Sequence, residues 1–74
     1  MKKFVISWIS FYDNILHSKV INQYEGDELE AYKEAYKALT KLTLPEFFKN
    51  LHTIEDFVSA AIDADGAINV IRVD

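Results

Sequence analysis

The stretch KFVISWISFYDNILHSKVINQY, residues 3–24, constrains this chain more than any other. Two apolar-rich segments, 3–12 and 15–24, flank Asp13-Asn14. Asp and Asn tolerate positive φ and bond back to their own backbone, so the pair predicts a hairpin turn between two strands. A two-residue turn pairs Tyr12 with Ile15, Phe11 with Leu16 and Ser10 with His17. One face of the hairpin then carries Val5, Ser7, Ile9, Phe11, Leu16, Ser18, Val20, Asn22 and Tyr24. The other carries Phe4, Ile6, Trp8, Ser10, Tyr12, Ile15, His17, Lys19, Ile21 and Gln23. Both faces are rich in apolar residues, yet a chain of 74 residues has little material to cover both. One face is therefore core and the other is left open.

His17 and Lys19 bear on the choice, because an unpaired polar or charged side chain is costly to bury. On that ground the helices are expected on the Val5/Ile9/Phe11 side, with the Phe4/Trp8/Tyr12 side open. Large exposed apolar patches mark interaction sites, and Trp and Tyr are enriched among binding hot spots. The expected partner-binding set is Phe4, Ile6, Trp8, Tyr12, His17, Lys19 and Ile21. In it the apolar side chains enter a partner, while His17 and Lys19 set orientation. A three-residue turn would shift the pairing by one and weaken the assignment.

Beyond the hairpin, YEGDELEAYKEAYKALTKL predicts a helix. Gly26 breaks the strand, Asp27 can cap, and Glu28 and Glu30 suit the positive end of a helix. Leu29, Tyr32, Tyr36 and Leu39 recur at helical spacing, with Ala35 on the same face. In TLPEFFKNLHTIEDFVSAAIDADG, Thr43 with Pro45 and Glu46 has the form of a capping box, and Thr53 with Asp56 repeats it. The expectation is a short helix at about 44–50 and a longer one at about 54–63. One continuous helix is the other reading. Gly66 ends the helical region, and AINVIRV reads as a last strand.

These elements make a two-layer α+β domain of order ββααβ, or ββαααβ if the short helix counts. The first strand is the most apolar on both sides, which places it centrally in a three-stranded sheet of order 2-1-3, helices on one face. An up-and-down helix pair would set the last strand parallel to the first. Residues 1–74 read as one domain, near the lower size limit for folding without staples.

Composition narrows the function classes. Without cysteine there is no disulfide or thiolate metal site. Met1-Lys2-Lys3 and the apolar run after it have the outline of a secretory signal, but Ser7, Ser10 and Asp13 interrupt the run and no small-residue cleavage site follows. No stretch approaches the ~20 apolar residues that cross a bilayer. The expectation is a cytoplasmic protein. A net charge of −4 disfavours general nucleic-acid binding.

The remaining motifs are weak carriers of chemistry. DADGAI, 63–68, matches the middle of a calcium-binding EF-hand loop through Asp63, Asp65, Gly66 and Ile68. In that register the first ligand falls on Ala61 and the twelfth on Arg72, so two ligands are missing. A helix end with an acidic turn and a glycine at positive φ explains the segment. His17 and His52 match no metal-ligand spacing. Gly26 and Gly66 cannot form a phosphate cradle, and no nucleophile elbow is present. The row Lys33, Lys37 and Lys41, with Lys49 near it, could touch RNA phosphate, but Glu30 and Glu34 interrupt its field. No enzyme, cofactor or metal is expected.

FVISWISFYDN, EAYKEAYKAL and IDADGAINVIRVD together resemble small early proteins of T-even-type bacteriophages, the antitoxins among them in particular. That resemblance implies a non-enzymatic protein that binds and blocks a host toxin or defence factor. It carries over no individual functional residue. A homo-oligomeric domain whose open faces pack together is the second expectation, and an RNA-binding regulator the third.

Overall fold

In the computed structural model, residues 2–23 and 28–73 are described. Three strands, β1 (Lys2–Ser10), β2 (Leu16–Gln23) and β3 (Gly66–Arg72), form one sheet in the order β2-β1-β3. Two helices, α1 (Glu28–Thr40) and α2 (Ile54–Asp63), cover one face of it. A 3-10 turn, Pro45–Phe47, lies in the connection between them. The architecture is thus the expected α+β, ββααβ layout with the first strand central. Tyr24, the Gly26 break and the Asp27 cap lie outside the described residues.

β1 is antiparallel to both neighbours. A parallel last strand was expected only for an up-and-down helix pair, and the helices do not form one. Glu28 and Leu29 at the start of α1 and Ile54 at the start of α2 line one groove with Lys2 and Arg72. Both helices therefore begin at the Lys2 end of the sheet and run toward the Ser10 end. The connection 41–53 brings the chain back between them, so β3 starts opposite Ser10 and descends antiparallel to β1. The pairing extends past the strand ends through Phe11 N–H to the Asp65 carbonyl (2.8 Å) and Val73 N–H to the Lys3 carbonyl (2.9 Å).

The hairpin register differs from expectation by two residues. Ile9 faces Leu16, Trp8 faces His17 and Val5 faces Val20. The connection spans residues 11–15, closed by Asn14 N–H to the Ser10 carbonyl and by Ile15 N–H to Asp13 Oδ1. Asn14 takes φ 60°, the conformation its side chain tolerates best after glycine. A shift of two preserves the side-chain alternation, so the two sets of residues stay together.

Which set is buried is the larger correction. Phe4 is 1 % exposed and Ile6 2 %, packed on Ala31 and Ala35 of α1, with Trp8, Ile21, Ile68 and Val70 around them. The helices sit on the Phe4/Ile6/Trp8 side, and the Val5/Ile9 side is open. Two physical causes account for the inversion. His17 and Lys19 belong to an edge strand and remain exposed, so no charge had to be buried. The bulk of Phe4, Ile6 and Trp8 is met by the smallest helical residues, Ala31 and Ala35, so large and small side chains interdigitate.

A second cluster lies between the helices and the connection. Tyr36, Phe48, Phe57 and Ala61 form its centre, with Leu29, Tyr32, Leu39, Leu42 and Leu51 around them. Tyr36 meets both Phe48 and Phe57 edge-on, at 5.9 and 5.8 Å between ring centroids. Ile68 touches both clusters and joins them.

Helix ends follow local chemistry. The Thr53 hydroxyl accepts the Asp56 N–H, and the Asp56 carboxylate accepts the N–H groups of Thr53 and His52, at 3.0 and 2.8 Å. That is the capping box expected at this position. At Thr43 the expectation fails: Leu44 holds the cap position, with no side-chain hydrogen bond. The two N–H groups hold the Asp56 carboxyl below its ordinary value. A depressed folded value stabilises the fold above the unfolded value of 3.8, and that contribution is lost as pH falls through the folded one. Thr53→Ala is expected to cost about 1 kcal/mol in urea unfolding at neutral pH. Asp56→Asn is expected to flatten the loss of stability below about pH 4, read by unfolding across an acid series.

Gly66 departs from its expected role. It is Asp65, at φ 58°, that takes the left-handed conformation after α2, and no described glycine has positive φ. Gly66 is needed for close approach instead: a Cβ there would meet the Ile9 carbonyl oxygen at 2.6 Å and the Leu39 methyls at 2.7 and 2.8 Å. Leu39 can shift, but the central-strand carbonyl cannot do so cheaply. Gly66→Ala is expected to destabilise by about 1–3 kcal/mol, with a lowered urea midpoint and unchanged slope.

Candidate docking face

The uncovered face of the sheet carries three full cross-strand rows, with Lys3 and Asn22 in a further row at the Lys2 end. Ile71, Val5 and Val20 form the first, Asn69, Ser7 and Ser18 the second, and Ala67, Ile9 and Leu16 the third. Strand alternation turns these residues away from the helices, and the shared register aligns them across three strands. Two apolar rows therefore flank one row of small polar residues. None of these nine positions is charged, and the exposed Lys3 beside the first row places one ammonium at that end of the face. Leu16 is 69 % exposed, Val20 56 % and Ile71 54 %, because edge positions lack the neighbours that partly cover Val5 and Ile9. Ala67 is the shortest side chain of its row, and a shallow apolar depression opens beside it, bounded by Ser7, Ile9, Leu16 and Asn69.

The residues expected to bind a partner are divided by the fold. Phe4 and Ile6 are buried in the core, and Ile21 packs against them, so these three cannot form a docking surface. Trp8 packs on the same cluster, and its outer part stacks on His17 at 5.5 Å between centroids and 15° between planes. Lys19 is exposed on the helix side of β2. Tyr12 is exposed at the hairpin tip and donates its hydroxyl to Asp65 Oδ2 at 2.7 Å. That hydrogen bond and the Asp65 charge raise the Tyr12 phenol above its ordinary value.

Trp8 and His17 also border a cleft of about 360 Å3 with Ser10, Asp13, Leu39 and Lys41. Among the described residues, no three His, Asp or Glu side chains converge as a metal site. Asp63 and Asp65 belong to the end of α2 and the turn after it, with Asp65 engaged by Tyr12. Of the lysine row, Lys33 and Lys37 each hold their ammonium 5.6 Å from the Phe48 ring centroid, and Lys37 also meets Glu34 at 3.5 Å. Their stems thereby cover a core aromatic. Among the described residues, no helix is long and apolar enough to cross a membrane.

A signal for the open face was present in Ser7 and Ser18. Two serines at the middle of a sheet face fit water better than a helix-packed core. No family model, curated protein or solved structure matches the chain.

Proposed function

We propose that this chain is a non-enzymatic protein-docking domain, a cytoplasmic inhibitor of the phage type that blocks a host toxin or defence factor by covering it. The observation that carries this reading is the apolar patch on the open sheet face, with Leu16, Val20 and Ile71 all more than half exposed. Soluble proteins seldom leave such a patch without a partner. The sequence resemblance supplies the class of partner, and the face supplies the means.

Affinity capture from bacterial lysate tests the reading. Wild type is expected to retain a partner that a Leu16→Lys, Val20→Lys double variant does not. Equal recovery of every protein by both would contradict it.

A further inference from the structure

We infer that the cleft between the hairpin and the end of α1 binds a guanine mononucleotide. The cleft lies on the helix side of the sheet, apart from the docking face, and its ligand does not depend on the docking reading. Its origin is the way α1 crosses the sheet. α1 packs on β1 and β3 and barely reaches β2. Near the helix end Leu39 approaches Gly66 of β3, and the short Ala38 leaves a gap beside Trp8 and His17. Lys41, at φ 62°, turns the chain off the helix with its N–H on the Lys37 carbonyl at 2.7 Å. What remains is an open cleft of about 360 Å3, a volume in the range of small-ligand sites.

Three kinds of group meet there. Trp8 and His17 supply an aromatic wall, their rings 5.5 Å apart and 15° from parallel, and a flat ring stacks readily on such a pair. Asp13, on the hairpin side, supplies a carboxylate whose Oδ1 accepts the Ile15 N–H at 3.1 Å. Lys41 supplies an ammonium from the α1 side. Among the described residues neither Asp13 nor Lys41 forms an ion pair, so each has capacity for a ligand. A simple cation would suit Asp13 but meet Lys41, and a simple anion would meet the reverse. A flat ring that carries a donor edge and an anionic group satisfies all three. Guanine is the common base with two adjacent N–H donors on its Watson–Crick edge, and one carboxylate accepts both. Adenine and cytosine set an acceptor beside the amino group, and uracil flanks one donor with two acceptors. The phosphate then meets Lys41. A long nucleic acid is not selected, because a net charge of −4 opposes it.

Heteronuclear NMR titration of the full chain with guanosine monophosphate tests the inference. Trp8 is the single tryptophan, so its indole N–H resonance reports on the cleft directly. Because Asp13, His17 and Lys41 are exposed, the complex is weak and in fast exchange. Shifts are expected at that N–H and at the backbone amides of Asp13, Ala38 and Lys41. Adenosine monophosphate is expected to bind about tenfold more weakly, the discrimination of one bidentate pair. Asp13→Asn keeps an oxygen for the Ile15 N–H and is expected to abolish that preference. Lys41→Gln is expected to weaken guanosine monophosphate several-fold while leaving guanosine unchanged. Thermal unfolding checks that each variant is folded. An RNA trinucleotide bearing guanosine is expected to bind no more tightly than the mononucleotide. An unshifted Trp8 indole at millimolar guanosine monophosphate, equal binding of adenosine monophosphate, a preference that survives Asp13→Asn, equal loss of guanosine in Lys41→Gln, or tighter binding of the RNA overturns the inference.

Discussion

Phe4→Ala is expected to remove a large share of this protein's stability, with a sharply lowered urea midpoint. Phe4 is among the largest fully buried side chains and lies where β1 meets α1, against Ile6, Ala31 and Ala35. Removing a buried phenyl ring costs about 3–5 kcal/mol, since the cavity adds to the lost transfer free energy. A chain of this length has a total stability of about 4–11 kcal/mol. Collapse into the cavity is limited, because the two alanines are already in contact with the sheet and have no side chain to extend. Val5→Ala, one residue away on the open face, is expected to cost about 1 kcal/mol or less. The contrast between adjacent positions reads directly which face is core. Equal effects would mean the helices do not distinguish the two sides.

The second large effect is on binding rather than folding. Leu16→Lys with Val20→Lys is expected to leave the melting temperature nearly unchanged, since both side chains are exposed on an edge strand. The same change places two ammonium groups on the apolar rows of the open face. Hot-spot residues of an interface are worth about 2 kcal/mol or more each, so affinity for a partner should fall by about 30-fold at least. Lys19→Ala lies between the two in sequence and points to the helix side. It is expected to change binding little, which distinguishes a face effect from a strand effect.

Much of the fold was legible because its signals are local. Asn14 at positive φ, the Thr53–Asp56 box and the helical spacing of Leu29, Tyr32, Tyr36 and Leu39 each act within a few residues. Strand order followed from the apolar character of β1 on both sides. What was not legible depends on elements far apart in sequence. The parallel course of α1 and α2 depends on how 41–53 folds back, which no spacing encodes. The hairpin register depends on the number of residues in the turn, and the bonds at Ser10, Asp13 and Asn14 set that number.

His17 and Lys19 do not reveal the buried face, because β2 is not covered along its length. As an edge strand it leaves His17 and Lys19 in water. The stripe of α1 that meets the sheet is made of Ala31 and Ala35, which carry little hydrophobic signal but allow close approach to Phe4 and Ile6. The docking face shares this difficulty. Its third strand, with Ala67, Asn69 and Ile71, joins Val5, Ser7 and Ile9 only once β3 pairs antiparallel with β1.

The most direct test is a calorimetric titration of a captured partner with wild type, with Leu16→Lys, Val20→Lys and with Lys19→Ala. Docking through the Val5/Ile9/Leu16/Val20/Ile71 face predicts full affinity for wild type and Lys19→Ala, and a loss of about 30-fold or more for the double variant. Unchanged affinity of a folded double variant would contradict the account.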